Sequence, residues 1–194
     1  EDTDWQDSPA NTVYGVSKHE AELEVFRGIA EGLDAVLVNP SMIFGVGRPG
    51  ENTRQLVDQV RRRQLPAAPT GGNGVVDVLD VAAGHLLAMD KGRTGERYIL
   101  SGQNLSWREI IDAIAEGFEV RPPRLQLSLP LGMVLATVME TSGRLLRFKP
   151  LITREAVTQA SKTFLYNNRK AVEELGCTFR PFEDTVARIV RELS

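Results

Sequence analysis

The run Ala35-Val36-Leu37-Val38 constrains the fold more than any other feature of the chain. Its residues are apolar without alternation, so a strand built from them must be covered on both faces, as in a parallel sheet. A helical stretch comes before it. Asn11 or Thr12 can cap a helix that runs to about Glu31, with Gly32 as its stop. After it, residues 53–64 read as a helix with Leu56, Val57 and Val60 on one side. Val75 to Leu79 reads as a second strand, and Asp80 then caps a helix running to Met89 whose apolar face includes Val81, Leu86, Leu87 and Met89. Arg97 to Leu100 reads as a third strand. Ser106 and Glu109 form a capping box ahead of Ile110, Ile111 and Ile114. Helix and strand alternate, which predicts an α/β layered fold with a parallel sheet.

The pattern changes near Arg121-Pro122-Pro123. Beyond it, helices are expected over 131–146, 153–161, 169–175 (closed by Gly176) and 183–193, with a short strand at 164–166. The expected organisation is therefore residues 1–120 as the latter part of a Rossmann-like domain and residues 121–194 as a mainly helical region.

Composition excludes several classes of function. The net charge of −3 gives no electrostatic reason to bind nucleic acid. The basic run Arg61-Arg62-Arg63 reads as a solvated helix end. The single cysteine, Cys177, has no partner for an internal disulfide, suits a reducing, cytoplasmic setting and reads as structural. The most apolar stretch, residues 125–139, is broken by Pro130 and is too short to span a bilayer, so no membrane association is expected. The two histidines, His19 and His85, are far apart and form no metal motif.

Within the first helix, Tyr14 and Lys18 lie four residues apart, one turn along the same face. A free phenol has a pKa of about 10. A cation fixed nearby stabilises the phenolate and makes the group useful for proton transfer near neutral pH. The same spacing also fits a packed tyrosine beside a solvated lysine. Asn39, Pro40 and Ser41 follow the apolar strand at its C-terminal end, where open α/β sheets bind ligands; an ordinary strand-to-loop turn is the alternative. Residues 45–50, Gly-Val-Gly-Arg-Pro-Gly, match G-x-G-x-x-G literally. Residues 39–44 separate that motif from its strand, and Pro49 lacks a backbone N–H, so a surface loop beside a cleft is the better reading than a phosphate cradle. Asp77 and Asp80 fall on opposite faces of the expected strand and do not form an acid pair. Gly71-Gly72-Asn73-Gly74 reads as a flexible turn. Arg144, Arg147 and Lys149 read as helix-end cations.

The segment Pro9 to Glu22, with Tyr14, Ser17, Lys18, Glu20, Ala21 and Glu22, resembles the active-site helix of the extended short-chain dehydrogenase/reductase family and its Tyr-x-x-x-Lys signature. Residues 36–45, 76–82, 95–100 and 170–176 resemble later segments of that family in the same order. Within the family the likeness is to dihydroflavonol-4-reductase-like proteins and related sugar epimerases. The resemblance implies a Rossmann-like fold, NAD or NADP as cofactor, and Tyr14 and Lys18 as catalytic residues that also contact the cofactor. Asn39, Pro40 and Ser41 would lie at its nicotinamide end, and residues 45–74 would contribute partly to the substrate region. It further implies a carbonyl or nucleotide-sugar substrate of low molecular mass and a homodimer. The family's glycine-rich phosphate loop and substrate-positioning serine or threonine belong upstream of the catalytic tyrosine, so the chain is expected to correspond to the C-terminal part of such an enzyme. Three readings stay open: a reductase, a nucleotide-sugar epimerase or dehydratase that regenerates its cofactor, and a non-catalytic fragment lacking the phosphate loop.

Overall fold

The computed structural model describes residues 12–146 and 153–194. Its first element is helix α1 (Val13–Ala30), capped by Thr12, whose hydroxyl accepts from Gly15 N at 3.0 Å. Asn11, the other candidate cap, lies outside the described residues. Gly32, at φ +103°, ends the turn that follows, a conformation open to glycine at little cost.

The apolar run leads into strand β1 (Leu37–Pro40), which pairs in parallel with β5 (Arg97–Leu100), Leu37 opposite Arg97 and Pro40 opposite Leu100. The strand therefore begins two residues later than its apolar run and takes in Asn39 and Pro40. Pro40 is tolerated because Leu37 N and Ser41 N, in step along the strand, donate toward β5, so the N–H that Pro40 lacks would face away from that partner. After Ser41 the chain continues as β2 (Met42–Phe44), parallel to β4 (Gly72–Asp77). β4 also pairs with β6 (Gln103–Ser106), this time antiparallel. Ser41 N donates to Leu100 O and Gly102 N donates to Val75 O, so β1–β2 and β5–β6 each pass from one strand pairing to the next with little interruption. A third, short parallel pair joins β3 (Ala68–Pro69) to β7 (Gln126–Leu127).

The alternation of β4 divides the core. Val75 faces a cluster with Phe44, Val57, Val60, Ile110, Ile114 and Phe182, contributed by β2, α2 (Asn52–Arg61), α4 (Trp107–Gly117) and α7 (Phe182–Leu193). Val76 faces a second cluster with Val81, Tyr98, Leu100, Leu175 and Cys177, covered by α3 (Val78–Lys91). The capping box forms as expected, with Ser106 N donating to Glu109 Oε2 at 2.7 Å and Ser106 Oγ accepting from Glu109 N. Helices α5 (Leu129–Leu146) and α6 (Arg154–Ala160) pack on each other. Cys177 is buried, and burial pushes its thiol pKa up, as suits a packing role. Among the described residues no helix is long and apolar enough to cross a membrane.

Several expectations are corrected. Gly71 to Gly74 is no flexible turn: residues 72–74 are strand, and the glycines are required by close approach. A Cβ on Gly71 would fall 2.1 Å from Lys162 O, and one on Gly72 would fall 2.6 Å from Leu105 O. Gly71→Ala is expected to destabilise the fold by about 2 kcal/mol or more, because the obstacle is backbone that cannot rotate away; thermal unfolding measures it. Asp77, not Asp80, caps α3, accepting from Leu79 N at 2.7 Å, so the strand ends two residues earlier than expected. The two aspartates are not on opposite faces of one strand. Both meet the C-terminal region, Asp77 through Arg188 and Asp80 through Arg180. Leu86 and Met89 are exposed, and the inner face of α3 is formed by Asp80, Val81, Gly84 and Ala88. Residues 164–166 form no strand, although Thr163 makes an isolated bridge to Gly72. Ala171–Leu175 winds as a π-helical turn before Gly176 at φ +74°. In the basic run, Arg62 and Arg63 are exposed, whereas Arg61 lies over the Phe118 ring and donates to Leu193 O. Arg147 and Lys149 lie outside the described residues.

Candidate functional site

The C-terminal ends of β1 and β2 open onto a cleft of about 910 Å³. Its walls are apolar and aromatic, drawn from Met42, Leu56, Leu65, Trp107, Ile111 and Tyr166 among others. Tyr14, Pro40 and Ser41 line it as well, so three of the five residues singled out in the sequence share one cavity. Tyr14 stands in the first turn of α1 and is 71% exposed. Lys18 Nζ lies 5.4 Å from the centre of its ring, so the one-turn spacing brings the ammonium over the phenol.

Asn39 is placed differently. It does not line the cleft; its Nδ2 donates to Glu22 Oε1 at 2.6 Å, which ties β1 to α1. Its Oδ1 is buried and has no hydrogen-bond partner, as is Ser41 Oγ. Buried polar atoms without partners are rare in folded proteins and call for an explanation. Here two of them lie at the end of a parallel strand.

The residues from Gly45 to Gly50 run from β2 toward α2, with positive φ at Gly47 and Gly50. A Cβ on Gly45 would meet Val78 Cγ1 at 2.7 Å, so a side chain there would have to displace Val78. Arg48 N donates to Glu51 Oε2 at 2.9 Å, so a carboxylate already occupies this amide. That arrangement disfavours a bound phosphate and agrees with a loop beside a cleft. Arg54 is committed too, to Asp58 and to Val46 O. Among the described residues, the titratable side chains that line the cleft are Tyr14, Glu51 and Tyr166, and burial raises the Tyr166 pKa. Among the described residues no lysine or arginine lines it.

Sequence reasoning missed Asn73, Trp107 and Tyr166 as cleft residues. Asn73 was hidden inside a glycine-rich run that looks like a turn. Trp107 directly follows the Ser106 cap, and that position was its one local signal. Tyr166 arrives from a distant segment, held where Tyr166 N donates to Asn104 Oδ1 and Tyr166 O accepts from Asn104 Nδ2.

Residues 1–101 match the model of the NAD dependent epimerase/dehydratase family, and the chain belongs to that family. Its curated relatives include a candidate dihydroflavonol 4-reductase from Synechocystis, 35% identical over 169 residues, which are 84% of this chain and 49% of the relative. Among solved structures, gox2253 is similar at 33% identity and a TM-score of 0.74, over 93% of this chain and 55% of that one. PA4631, a nucleoside-diphosphate-sugar epimerase from Pseudomonas aeruginosa, is similar at 27% identity and a TM-score of 0.77, over 96% and 57%. The chain spans about half the length of the curated relative it matches here.

Proposed function

We propose that the protein is an NAD(P)-dependent reductase of uncharged, largely apolar carbonyl compounds, with Tyr14 as the proton donor. One observation carries this reading: Tyr14, with Lys18 one turn on, stands at the rim of an apolar cleft at the C-terminal ends of parallel strands. The orphaned Ser41 Oγ, on the cleft wall, fits the amide end of a nicotinamide, which brings hydrogen-bond donors and acceptors to such an atom. When bound, the cofactor supplies or accepts the hydride. Tyr14 gives its hydroxyl proton to the substrate oxygen in reduction and takes it back in oxidation. In this reading the Lys18 ammonium, 5.4 Å from the centre of the Tyr14 ring, stabilises the negative charge left on the phenolate. Pro40 holds the strand end in a fixed conformation beside these groups, and the apolar walls exclude water from the reacting carbon.

A second reading, a nucleotide-sugar epimerase or dehydratase, draws on the likeness to PA4631. A nucleoside diphosphate carries charges that are usually met by arginine or lysine. The described cleft offers none, and it presents Glu51. The two readings separate in an assay of the full-length protein with an aromatic or alicyclic ketone and reduced nicotinamide cofactor. A steady loss of the reduced-nicotinamide absorbance is expected. Tightly co-purifying cofactor with no net consumption, and turnover of a nucleotide sugar, would favour the epimerase.

A further inference from the structure

We propose that Glu22 is a positioning residue, a tether that fixes α1 against the sheet and thereby sets where Tyr14 meets the cleft; its catalytic meaning rests on the reading of Tyr14 given above. The tether acts alongside the packing of α1. Val25, Phe26 and Ile29 of this 18-residue helix are half-buried and form its apolar face among the described residues. Such a face holds a helix to the sheet, and polar contacts to strand residues fix its height and rotation as well.

Glu22 supplies them. Its carboxylate accepts Asn39 Nδ2 at 2.6 Å and Arg97 Nη1 at 3.3 Å, from the neighbouring strands β1 and β5. Leu37 pairs with Arg97 in the parallel register, and Asn39 follows Leu37 by two residues, so Asn39 and Arg97 share the face on which α1 lies. The Arg97 guanidinium also lies 5.9 Å from the centre of the Phe26 ring, one turn further along α1. Glu22 is eight residues after Tyr14, about 12 Å along the helix, and a helix transmits displacement over that distance as a rod. The side chain is 22% exposed, so solvent screens the pair only in part.

The tether also orients Asn39. A carboxylate can only accept, so the amide nitrogen must face Glu22 and Oδ1 must point away. That is the atom left buried and without a partner beside the strand end. One carboxylate therefore sets both the height of the tyrosine-bearing helix and the direction of an unused acceptor.

Four variants of the full-length protein test this: Glu22→Ala, Glu22→Gln, Asn39→Asp, and the exchange Glu22→Gln with Asn39→Asp. Glu22→Ala is expected to lower kcat about ten- to hundredfold, the usual effect of a small misplacement, while KM for the carbonyl changes less than about threefold because the apolar wall is untouched. Amide hydrogen exchange should accelerate along α1 and stay unchanged in α4. Asn39→Asp, which sets two carboxylates face to face, should do the same. The double exchange should restore protection of α1 and much of kcat, since the glutamine amide then donates to the new carboxylate, whereas Glu22→Gln alone should not. Unchanged exchange in α1 after Glu22→Ala, faster exchange throughout the protein, or a double variant no better than its parents would overturn the tether. The exchange result stands apart from the chemistry: if Tyr14→Phe kept full activity, the functional reading would fall while the tether would still be judged by protection of α1.

Discussion

Replacing Tyr14 by phenylalanine is expected to lower kcat by at least about a hundredfold, the usual contribution of a positioned acid–base group. The change removes one oxygen and keeps the ring, so the packing of Lys18 over its face at 5.4 Å can persist. Tyr14 is exposed and contributes nothing to either core cluster, so stability should move by less than about 0.5 kcal/mol. KM should change little, because the substrate's apolar contacts come from the cleft walls. A hundredfold loss corresponds to roughly 2.7 kcal/mol of transition-state stabilisation. Water entering beside the phenylalanine can supply part of a proton transfer, which is why the loss should stop short of complete inactivity. Single-turnover measurements with saturating cofactor would isolate the chemical step. A variant that turned over at the normal rate would sink the assignment of Tyr14 as proton donor and leave the cleft as a binding site only.

Local chemistry made much of the fold legible in the sequence. The limits of β5 match the run Arg97 to Leu100, and the Ser106–Glu109 box starts α4 where two orphan helix donors needed partners. Tyr14, Pro40 and Ser41 line one cleft, a meeting that the family resemblance implied and that local spacing alone left open. What could not be read depends on groups far away in sequence. Gly71 and Gly72 look like turn residues, yet the atoms that forbid a side chain there belong to Lys162 and Leu105. Asp80 was an acceptable cap by local rules. Its actual partners, Arg180 N and the Arg180 guanidinium, come from a hundred residues downstream, and they leave Asp77 to cap the helix. Asn39 sits in an apolar strand with nothing nearby in sequence to announce Glu22 as its partner. The cleft walls followed the same rule: residues from separate segments converge there, and pattern analysis treats each segment alone.

Among polar substitutions, removing the Asp77 carboxylate should be the most destabilising. Asp77 is 2% exposed, and its two oxygens accept Arg188 Nη2 at 3.0 and 2.9 Å while Oδ1 also caps α3. Arg188 is held in turn by Glu192 at 3.0 Å, so one carboxylate joins the end of β4 and the start of α3 to the last helix. Asp77→Ala would leave a largely buried guanidinium without its main partner and an uncapped helix. Breaking a buried pair in this way costs about 3 kcal/mol or more, equivalent to a fall in Tm on the order of 10 °C for a chain of this size. Asp77→Asn keeps a good capping side chain and removes only the charge, so its smaller loss isolates the ion pair. Acid should bring the two proteins closer in stability. Burial pushes the Asp77 carboxyl pKa up, but hydrogen bonds from Arg188, from the Leu79 N–H and from Thr185 outweigh it and leave the pKa below the ordinary carboxylate range. A group depressed on folding stabilises the protein above its unfolded pKa, about 3.9 for aspartate, and loses that contribution as pH falls through the folded value. The stability gap between the wild-type protein and Asp77→Asn should therefore hold constant from neutral pH to about pH 5 and narrow as the solution is taken below about pH 4. Urea unfolding at a series of pH values measures it directly. A gap that stayed flat at the most acidic end would mean that geometry and capping, not the charge on Asp77, hold the last helix to the sheet.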